Sequence, residues 1–265
     1  MEQMNYWQKQ GKKPLFDELD IERPERKQLA GRLLIVGGSK GSFFAVANAM
    51  TQAVAVGIGE VKVLLPDSLK KQVPANSDVV FAPSEAAGGF GKGAVNFATA
   101  AAENTDFIFM IGDMGKNSET TTFAERLVAG RNKPILITRD AVELLATSAQ
   151  DWLEGDGVVL CATLPQLQKI FRAVYYPKMI TLSMPTNQLI ESLHKFTITY
   201  PVMVTTYHNG QIIVAQGGEV VTTGLGDTNY NQINLWSGEL AVKIAALTLW
   251  NENKSFAATV SAVLA

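Results

Sequence analysis

The chain has little of what disulfide-rich, zinc-binding or polyanion-binding proteins depend on. Among its 265 residues Cys161 is the only cysteine, which excludes an intrachain disulfide and favours a reducing compartment. The two histidines, His194 and His208, are too few and too far apart to predict a zinc site, and we expect no metal held by protein ligands alone. Because 23 Lys and Arg nearly balance 25 Asp and Glu, the net charge predicts no nucleic-acid partner.

Long hydrophobic runs are missing as well. No stretch approaches the roughly 20 apolar residues that span a bilayer, and the polar start, MEQMNYWQKQGKK, lacks the apolar core of a signal peptide. We therefore expect a cytoplasmic protein without a membrane partner. Apolar residues still make up 47% of the chain and charged residues 18%, which is enough for a substantial core.

From residue 31 onward, short apolar runs alternate with helix-period segments, which is typical of βαβ units. The runs predict strands at 33–36, 61–65, 107–111, 135–138, 158–161 and 179–183, and helices at 44–56, at 234–249 and after 255. The Asn209-Gly210 pair predicts a type I′ hairpin between 202–206 and 212–215. We therefore expect one three-layer, doubly wound α/β domain over residues 31–265, mostly parallel, with antiparallel strands near its C-terminal edge.

Residues 1–30 have no sustained period and are predicted to form an N-terminal arm. Two placements stay open for this arm. It packs on the outside of its own domain, or it packs across the interface of a homo-oligomer through Tyr6, Trp7, Leu15 and Phe16.

Two glycine turns that follow strands are candidate substrate-binding loops. Backbone amides without side chains can approach a polar ligand closely, which makes Gly38, Ser39, Lys40 and Gly41 candidates in the first turn and Asp113, Gly115 and Asn117 candidates in the second. The first turn fits neither the Walker nor the dinucleotide glycine spacing. The alternative is a tight turn in the first case, and a turn followed by a helix cap in the second.

A third glycine segment, TTGLGD, precedes the predicted C-terminal helix. Its glycines would direct free amides and the positive helix end at one spot, so we predict an anion site at Thr223, Gly224, Leu225 and Gly226, with Asp227 as a base. The alternative is an ordinary helix cap at Asp227. Ligands in open parallel sheets sit beyond the carboxyl ends of strands, so all three segments are predicted to share one cleft.

Three further expectations concern single positions. We expect Asp140 to cap a helix, His208 to be exposed beside its turn, and His194 to lie on a helix. The loop AAGGFGKG at 86–93 is expected to be flexible.

The stretch GRLLIVGGSKGSFFAVANAMTQAVAVGIGEVKVLLPDSL, residues 31–69, resembles the opening of the ATP- or ADP-dependent NAD(P)H-hydrate dehydratases of the ribokinase-like superfamily. IGDMGKNSE, PILITRDAVELL and TTGLGDTN are similar to later motifs of that family, so the resemblance spans most of 31–230. It implies a ribokinase-like fold and a repair reaction. In that reaction ATP or ADP, with Mg²⁺, phosphorylates hydrated NADH or NADPH, and phosphate then leaves. By position, Gly224 and Gly226 would hold phosphate and Asp227 would deprotonate the attacking hydroxyl.

The chain departs from that family at three places. Thr163 and Gln166 stand where the family has ionisable residues, Thr205 stands where it has a lysine, and polar residues follow Asp227 where small apolar residues are expected. These departures motivate two alternatives. One is a ribokinase-like small-molecule kinase that stops at the phosphorylated product, and the other is a catalytically degenerate binding or assembly protein of the same fold.

Overall fold

A computed structural model describes residues 5–16, 19, 24–251 and 253–265. The strands are β1 (Trp7–Gln10), β2 (Arg32–Gly37), β3 (Glu60–Pro66), β4 (Val79–Ala82), β5 (Phe107–Gly112), β6 (Ile135–Thr138), β7 (Val158–Cys161), β8 (Val202–His208), β9 (Gln211–Gln216) and β10 (Glu219–Gly224). The helices are α1 (Phe44–Val56), α2 (Ala94–Glu103), α3 (Ser118–Gly130), α4 (Asp140–Leu145), α5 (Ala149–Leu153), α6 (Leu164–Ala173), α7 (Thr186–Thr199), α8 (Gln232–Ser237), α9 (Glu239–Trp250) and α10 (Ser255–Ala262).

All ten strands form one sheet, in the order β1-β10-β9-β8-β7-β6-β5-β2-β3-β4. β9 runs antiparallel to both β8 and β10, and the other neighbours pair in parallel. This confirms the predicted doubly wound, mostly parallel sheet with antiparallel strands towards one side. The Asn209-Gly210 turn also forms as predicted, with φ values of 47° and 75°.

Helices cover both faces of the sheet. One face packs on α2 to α7 around side chains such as Phe123 and Phe171, and the other packs on α1, α9 and α10 around Ala49 and Ile244. Burial on both faces explains why β5, β6 and β7 are continuous apolar runs. Within the described ranges, no helix combines the length and the apolar character needed to cross a bilayer.

The described part of the predicted arm packs on its own domain. β1 pairs in parallel with β10, the Trp7 indole donates to Thr222 Oγ1 at 3.0 Å, and Gln10 Nε2 donates to the Val260 carbonyl at 2.9 Å. Residues 1–4, 17–18 and 20–23 of the arm lie outside the described residues. β1 was not predicted, because its four residues carry no alternating pattern of polar and apolar side chains.

Two predicted elements differ from the structure. Residues 179–183 form a loop, not a strand, because β7 pairs directly with β8 and leaves no position between them. Met179 and Leu182 in this loop are 61% and 64% exposed. The expected helix at 234–249 is broken into α8 and α9 by Gly238, which adopts a left-handed φ of 99°. β4 is a short strand that the sequence analysis missed.

The two histidines have different outcomes. His194 lies on α7 as expected, and its ring stacks on the ring of Tyr6 with the two centroids 3.6 Å apart. The expectation that His208 is exposed is wrong. Its side chain is buried against the loop before α7, and its Nε2 lies 2.7 Å from the Met184 carbonyl.

Gly238 provides a stability test of the break between α8 and α9. A Cβ at this position would lie 3.1 Å from Ile111 Cδ1, and an L-residue would have to adopt the left-handed conformation. We expect Gly238→Ala to lower the free energy of unfolding by about 1–3 kcal/mol. Gly226 has a negative φ, and a Cβ atom there would meet no other atom within 4 Å. Gly226→Ala should therefore change the free energy of unfolding by less than about 0.5 kcal/mol. Urea denaturation of both variants checks this, and equal losses would contradict it.

Candidate functional site

A cleft opens at the edge of the sheet where β5, β6 and β7 end, which we call the carboxyl edge. Its cavity of about 290 Å³ is lined by Lys116, Thr138, Arg139, Asp140, Glu143, Cys161, Thr163, Gln166 and Trp236. Larger cavities of about 470 and 930 Å³ lie at the opposite edge, where the strands begin. Ligands of open parallel sheets bind beyond the carboxyl ends of the strands, so the smaller carboxyl-edge cleft is the candidate site.

Arg139 stands at the centre of this cleft, directly after β6. Its guanidinium donates to Asp113 Oδ1 at 3.3 Å and to the Trp236 carbonyl at 3.2 Å, and so it connects the loop after β5 to α8. The Arg139 backbone has φ 56° and ψ −139°, a conformation in which non-glycine residues are rare and that costs about 1–3 kcal/mol. The surrounding contacts therefore hold a strained residue in place.

Asp113 and Asp140 are engaged in holding the loop after β5. Asp113, at φ 56°, accepts from the Ala45 amide at 2.9 Å, and so it binds the first turn of α1, whose N-cap residue offers no side-chain hydrogen bond. Asp140 Oδ1 accepts from the Asp113 amide at 2.8 Å. Asp140 is the first residue of α4, but its carboxylate does not cap this helix. It supports the neighbouring loop instead. The first role of both carboxylates is structural.

The departures at 163 and 166 have a structural explanation. Thr163 and Gln166 form a reciprocal capping box at the start of α6, with Gln166 Oε1 accepting from the Thr163 amide at 2.9 Å. Gln166 Nε2 also donates to the Arg139 carbonyl at 2.8 Å. This pair of neutral residues therefore supports the strained arginine and leaves no ionisable group on this wall of the cleft.

Cys161 lines the cleft as a thiol and not as a thiolate. Burial raises its pKa to about 12, opposed in part by a hydrogen bond with Thr138. Thr138 donates to the Cys161 carbonyl at 2.8 Å. Cys161 is therefore a weak nucleophile at neutral pH.

The two predicted substrate loops are brought together. The Gly38 amide donates to the Gly112 carbonyl at 2.9 Å, and the Lys40 amide donates to the Gly88 carbonyl at 2.9 Å. Ser39 closes the turn by pairing with Ser42, and Gly41 has open space around it.

Asn117 joins the second loop to the same group. It caps α3 by accepting from the Thr120 amide at 2.9 Å, as the alternative prediction had it, and its Nδ2 donates to Glu85 at 3.0 Å. Gly115 has a φ of 81°, which explains a glycine there. The loop at 86–93 thus forms as a loop and is held between Lys40 and Asn117.

The predicted anion site lies elsewhere along the edge. β10 is three strands from β7, the nearest strand of the cleft, which is about 14 Å at the usual spacing of about 4.8 Å. Asp227 ends a short 3₁₀ turn, Leu225–Asp227. A Cβ atom placed on Gly224 would lie 3.1 Å from the Oδ2 atom of Asp227. Thr223 is buried and accepts from Gln10. Gly224 and Gly226 were expected to open the long helix, and they do not. None of these residues lines the cleft.

The long helix that does begin beside the cleft is α9. Its N-cap is Gly238, and its first residue is the half-buried Glu239. A Cβ atom placed on Gly238 would point towards Ile111 and would lie 4.0 Å from Cδ of Arg139. The sequence analysis missed this position. A signal was present, because Leu240, Ala241 and Val242 follow Glu239, and these are the small apolar residues that the resemblance leads one to expect after the carboxylate.

The architecture was compared with solved structures. A ribokinase-like superfamily protein from Enterococcus faecalis superimposes with a TM-score of 0.69 at 14% identity, covering 98% of this chain and 86% of the other. The chain has the ribokinase-like fold.

Other ribokinase-like neighbours are enzymes. The ADP/ATP-dependent NAD(P)H-hydrate dehydratase of Bacillus subtilis, co-crystallised with ATP and Mg²⁺, gives a TM-score of 0.63 at 15% identity, covering 98% and 87%. An ADP complex of Bacillus subtilis pyridoxal kinase gives 0.50 at 13% identity, covering 88% of each chain. No protein-family model and no curated protein sequence matches this chain. The comparisons therefore show the fold alone.

Asp140 and Glu143 offer a matched test of the network, because both lie in the first turn of α4. Asp140→Ala removes the acceptor of the Asp113 amide, and we expect it to lower the free energy of unfolding by about 1.5–3 kcal/mol. Glu143→Ala removes a partly exposed ion pair with Lys169 and should cost less than about 1 kcal/mol. Urea denaturation measures both. A loss for Glu143→Ala as large as that for Asp140→Ala would contradict the structural role of Asp140.

Proposed function

We propose that this ribokinase-like protein transfers a phosphoryl group from ATP or ADP to a hydroxyl of a small molecule in the carboxyl-edge cleft. The observation that carries the proposal is the start of α9 at Gly238 and Glu239, next to the Arg139 side chain. The N-terminus of α9 therefore lies beside the aliphatic part of Arg139, and Glu239 is the first residue of this helix. Phosphoryl transfer depends chiefly on positioning and on stabilising charge, for which these groups suffice.

The residues of the cleft fit the charged part of a nucleotide. Lys116 and Arg139 provide positive charge for phosphate oxygens, which compensates for the lysine that Thr205 replaces. Mg²⁺ takes most of its ligands from water and phosphate, so one or two carboxylates such as Asp140 and Glu143 would complete its shell. Within the described residues there is no cluster of three or more metal-binding side chains.

The nucleotide would supply the phosphoryl group, and Mg²⁺ would neutralise its charge. We propose Glu239 as the base that takes the proton of the attacking hydroxyl while the hydroxyl oxygen bonds to phosphorus and the bond from phosphorus to the departing ADP or AMP breaks. Arg139 and the first amides of α9 would then hold the transferred group. Asp227 is the competing candidate, on the strength of its sequence motif alone.

Hydrated NADH or NADPH is the first candidate substrate. Its support is the motif resemblance over residues 31–230, together with a structural likeness that covers 98% of this chain. After transfer, cleavage of the ring C–O bond with loss of phosphate, together with loss of a proton from the neighbouring ring carbon, would restore the ring double bond and regenerate the reduced cofactor. The single buried cysteine supports the cytoplasm as the proposed location.

A small-molecule kinase is the second candidate, and one observation favours it. Thr163 and Gln166 are committed to a capping box, so the ionisable pair expected of a dehydratase is missing from the cleft wall. Retention of a phosphorylated product, as opposed to release of free phosphate, separates a kinase from a dehydratase.

The choice of base is tested with two variants that each replace one carboxylate by its amide. General bases contribute about 10²–10⁴-fold to turnover, so Glu239→Gln should lower kcat by at least about 100-fold. Asp227→Asn should leave kcat within about threefold, because Asp227 is not among the residues that line the cleft. The measurement is nucleotide-dependent NADH recovery from hydrated NADH, with free phosphate assayed in parallel.

The reverse result, with Asp227→Asn inactive and Glu239→Gln active, would return the role of base to Asp227. Full activity in both variants would contradict a carboxylate base. A parent protein that binds nucleotide without turnover of any hydroxyl substrate would make it a binding protein of the same fold.

A further inference from the structure

A second, nearly filled space lies next to the carboxyl-edge cleft, beneath α8. Its volume is only about 10 Å³, and it is lined by Cys161, Thr205, Thr206, Tyr207, Ile212, Leu235, Trp236 and Leu240. Cys161 and Trp236 also line the carboxyl-edge cleft. Trp236 is therefore the wall that separates the two spaces, and its removal would join them.

Thr205 on the floor of this space has an unsatisfied hydroxyl. The residue is 1% exposed, and its Oγ1 has no hydrogen-bond partner in the part of the chain that the structure describes. Side chains alternate along a strand, so Thr205 shares the sheet face of Met203 and Tyr207, on the side of α9. A buried polar group without a partner costs about 1–3 kcal/mol. A polar group that is not part of this chain would remove that cost.

The Trp236 side chain lines the same space as Thr205. It meets the Tyr207 ring edge-on, with centroids 6.4 Å apart and planes at 78°. Its carbonyl accepts from Arg139 at 3.2 Å, a long bond for a charged donor. α8 is only six residues long, and Gly238, which follows it, has a φ of 99° at which the chain changes direction. A rotation of the chain at Gly238 would move α8 and leave α9 in place.

The volume of the cleft lies at the lower limit for ligand pockets. Pockets that enclose drug-sized ligands hold about 300–1,000 Å³, whereas the carboxyl-edge cleft holds about 290 Å³. It accommodates a phosphate group and leaves the ring of the ligand unplaced. An indole has nearly the size and shape of a purine, and the space beside it contains a free hydroxyl and an aromatic ring.

We propose that the space beneath α8 is a binding subsite for a heteroaromatic ring, a purine or a pyridine carboxamide, and that Trp236 occupies it until the ligand displaces the indole. The ring would stack on Tyr207 and accept or donate a hydrogen bond at Thr205. The identity of the ligand rests on the proposed function, whereas the existence of the subsite rests on Thr205, Tyr207 and Trp236.

Calorimetric titration of the full chain with adenosine and nicotinamide tests the subsite without phosphate. When a side chain fills a site, the apparent affinity for a ligand falls with the fraction of molecules in which the site is open. Trp236→Ala should therefore tighten binding of one ring by about tenfold or more. Trp250→Ala is the matched control, because Trp250 is also half-buried but donates to the Ala30 carbonyl at the opposite edge. It should leave both affinities unchanged. Tighter adenosine binding would assign the nucleotide ring, and tighter nicotinamide binding the substrate ring.

Thr205→Val provides a second variant that does not disturb α8. Because it removes an unsatisfied hydroxyl at nearly constant shape, it should keep or raise the thermal midpoint of the free protein. Introduced together with Trp236→Ala, it should abolish most of the gain in ring affinity. A purely structural Thr205 would instead lose stability and leave the ring affinity unchanged.

Pyrophosphate, titrated in parallel, separates this proposal from the proposed function. Pyrophosphate binding that persists while neither ring responds to Trp236→Ala would overturn the subsite and leave the phosphate site intact. A ring that binds more tightly while pyrophosphate does not bind would support the subsite and count against phosphoryl transfer. Should Trp236→Ala fail to fold, Trp236→Phe with the same titrations replaces it, and unchanged ring affinities there would also overturn the subsite.

Discussion

The guanidinium of Arg139 holds together the parts of the molecule that form the carboxyl-edge cleft. It connects Asp113, which binds the first turn of α1, to the carbonyl of Trp236 in α8. The strained backbone of Arg139 is held by Gln166 from α6. Four separate segments therefore meet at this one residue. A neutral residue there would leave the Asp113 carboxylate with one fewer partner and would release α8.

The sequence was sufficient to predict the sheet, because its strands are buried on both faces. The apolar runs of β2, β5, β6 and β7 stand out against the charged helix surfaces that separate them. The glycine turn at Gly38 and the loop at Asp113 are also correctly placed near each other, since both follow neighbouring parallel strands. Local pattern and topology agree in this half of the molecule.

The same reasoning was less successful beyond β8. Motif similarity drew attention to Gly224 and Asp227, but β9 runs antiparallel to β8 and β10 lies outside it, so that loop follows a strand three positions beyond β7. The chain returns over the carboxyl edge as α8, and a second glycine-carboxylate pair, Gly238 and Glu239, opens the long helix. Both pairs place a glycine shortly before a carboxylate, so the local sequence does not distinguish them. Only the strand order shows which pair lies beside Arg139.

The central claim is that phosphate of a nucleotide binds at Arg139, and a thermal-shift titration with ATP and ADP, with and without Mg²⁺, tests it most directly. A ligand at a hundredfold excess over its Kd stabilises by about 2.7 kcal/mol, which raises the midpoint by several degrees in a domain of this size. We expect this shift in the parent protein and in Arg131→Gln, whose arginine lies near the opposite edge and binds main-chain carbonyls. Arg139→Gln should lose most of the shift. No shift in the parent at millimolar nucleotide, or an undiminished shift in Arg139→Gln, would contradict the account.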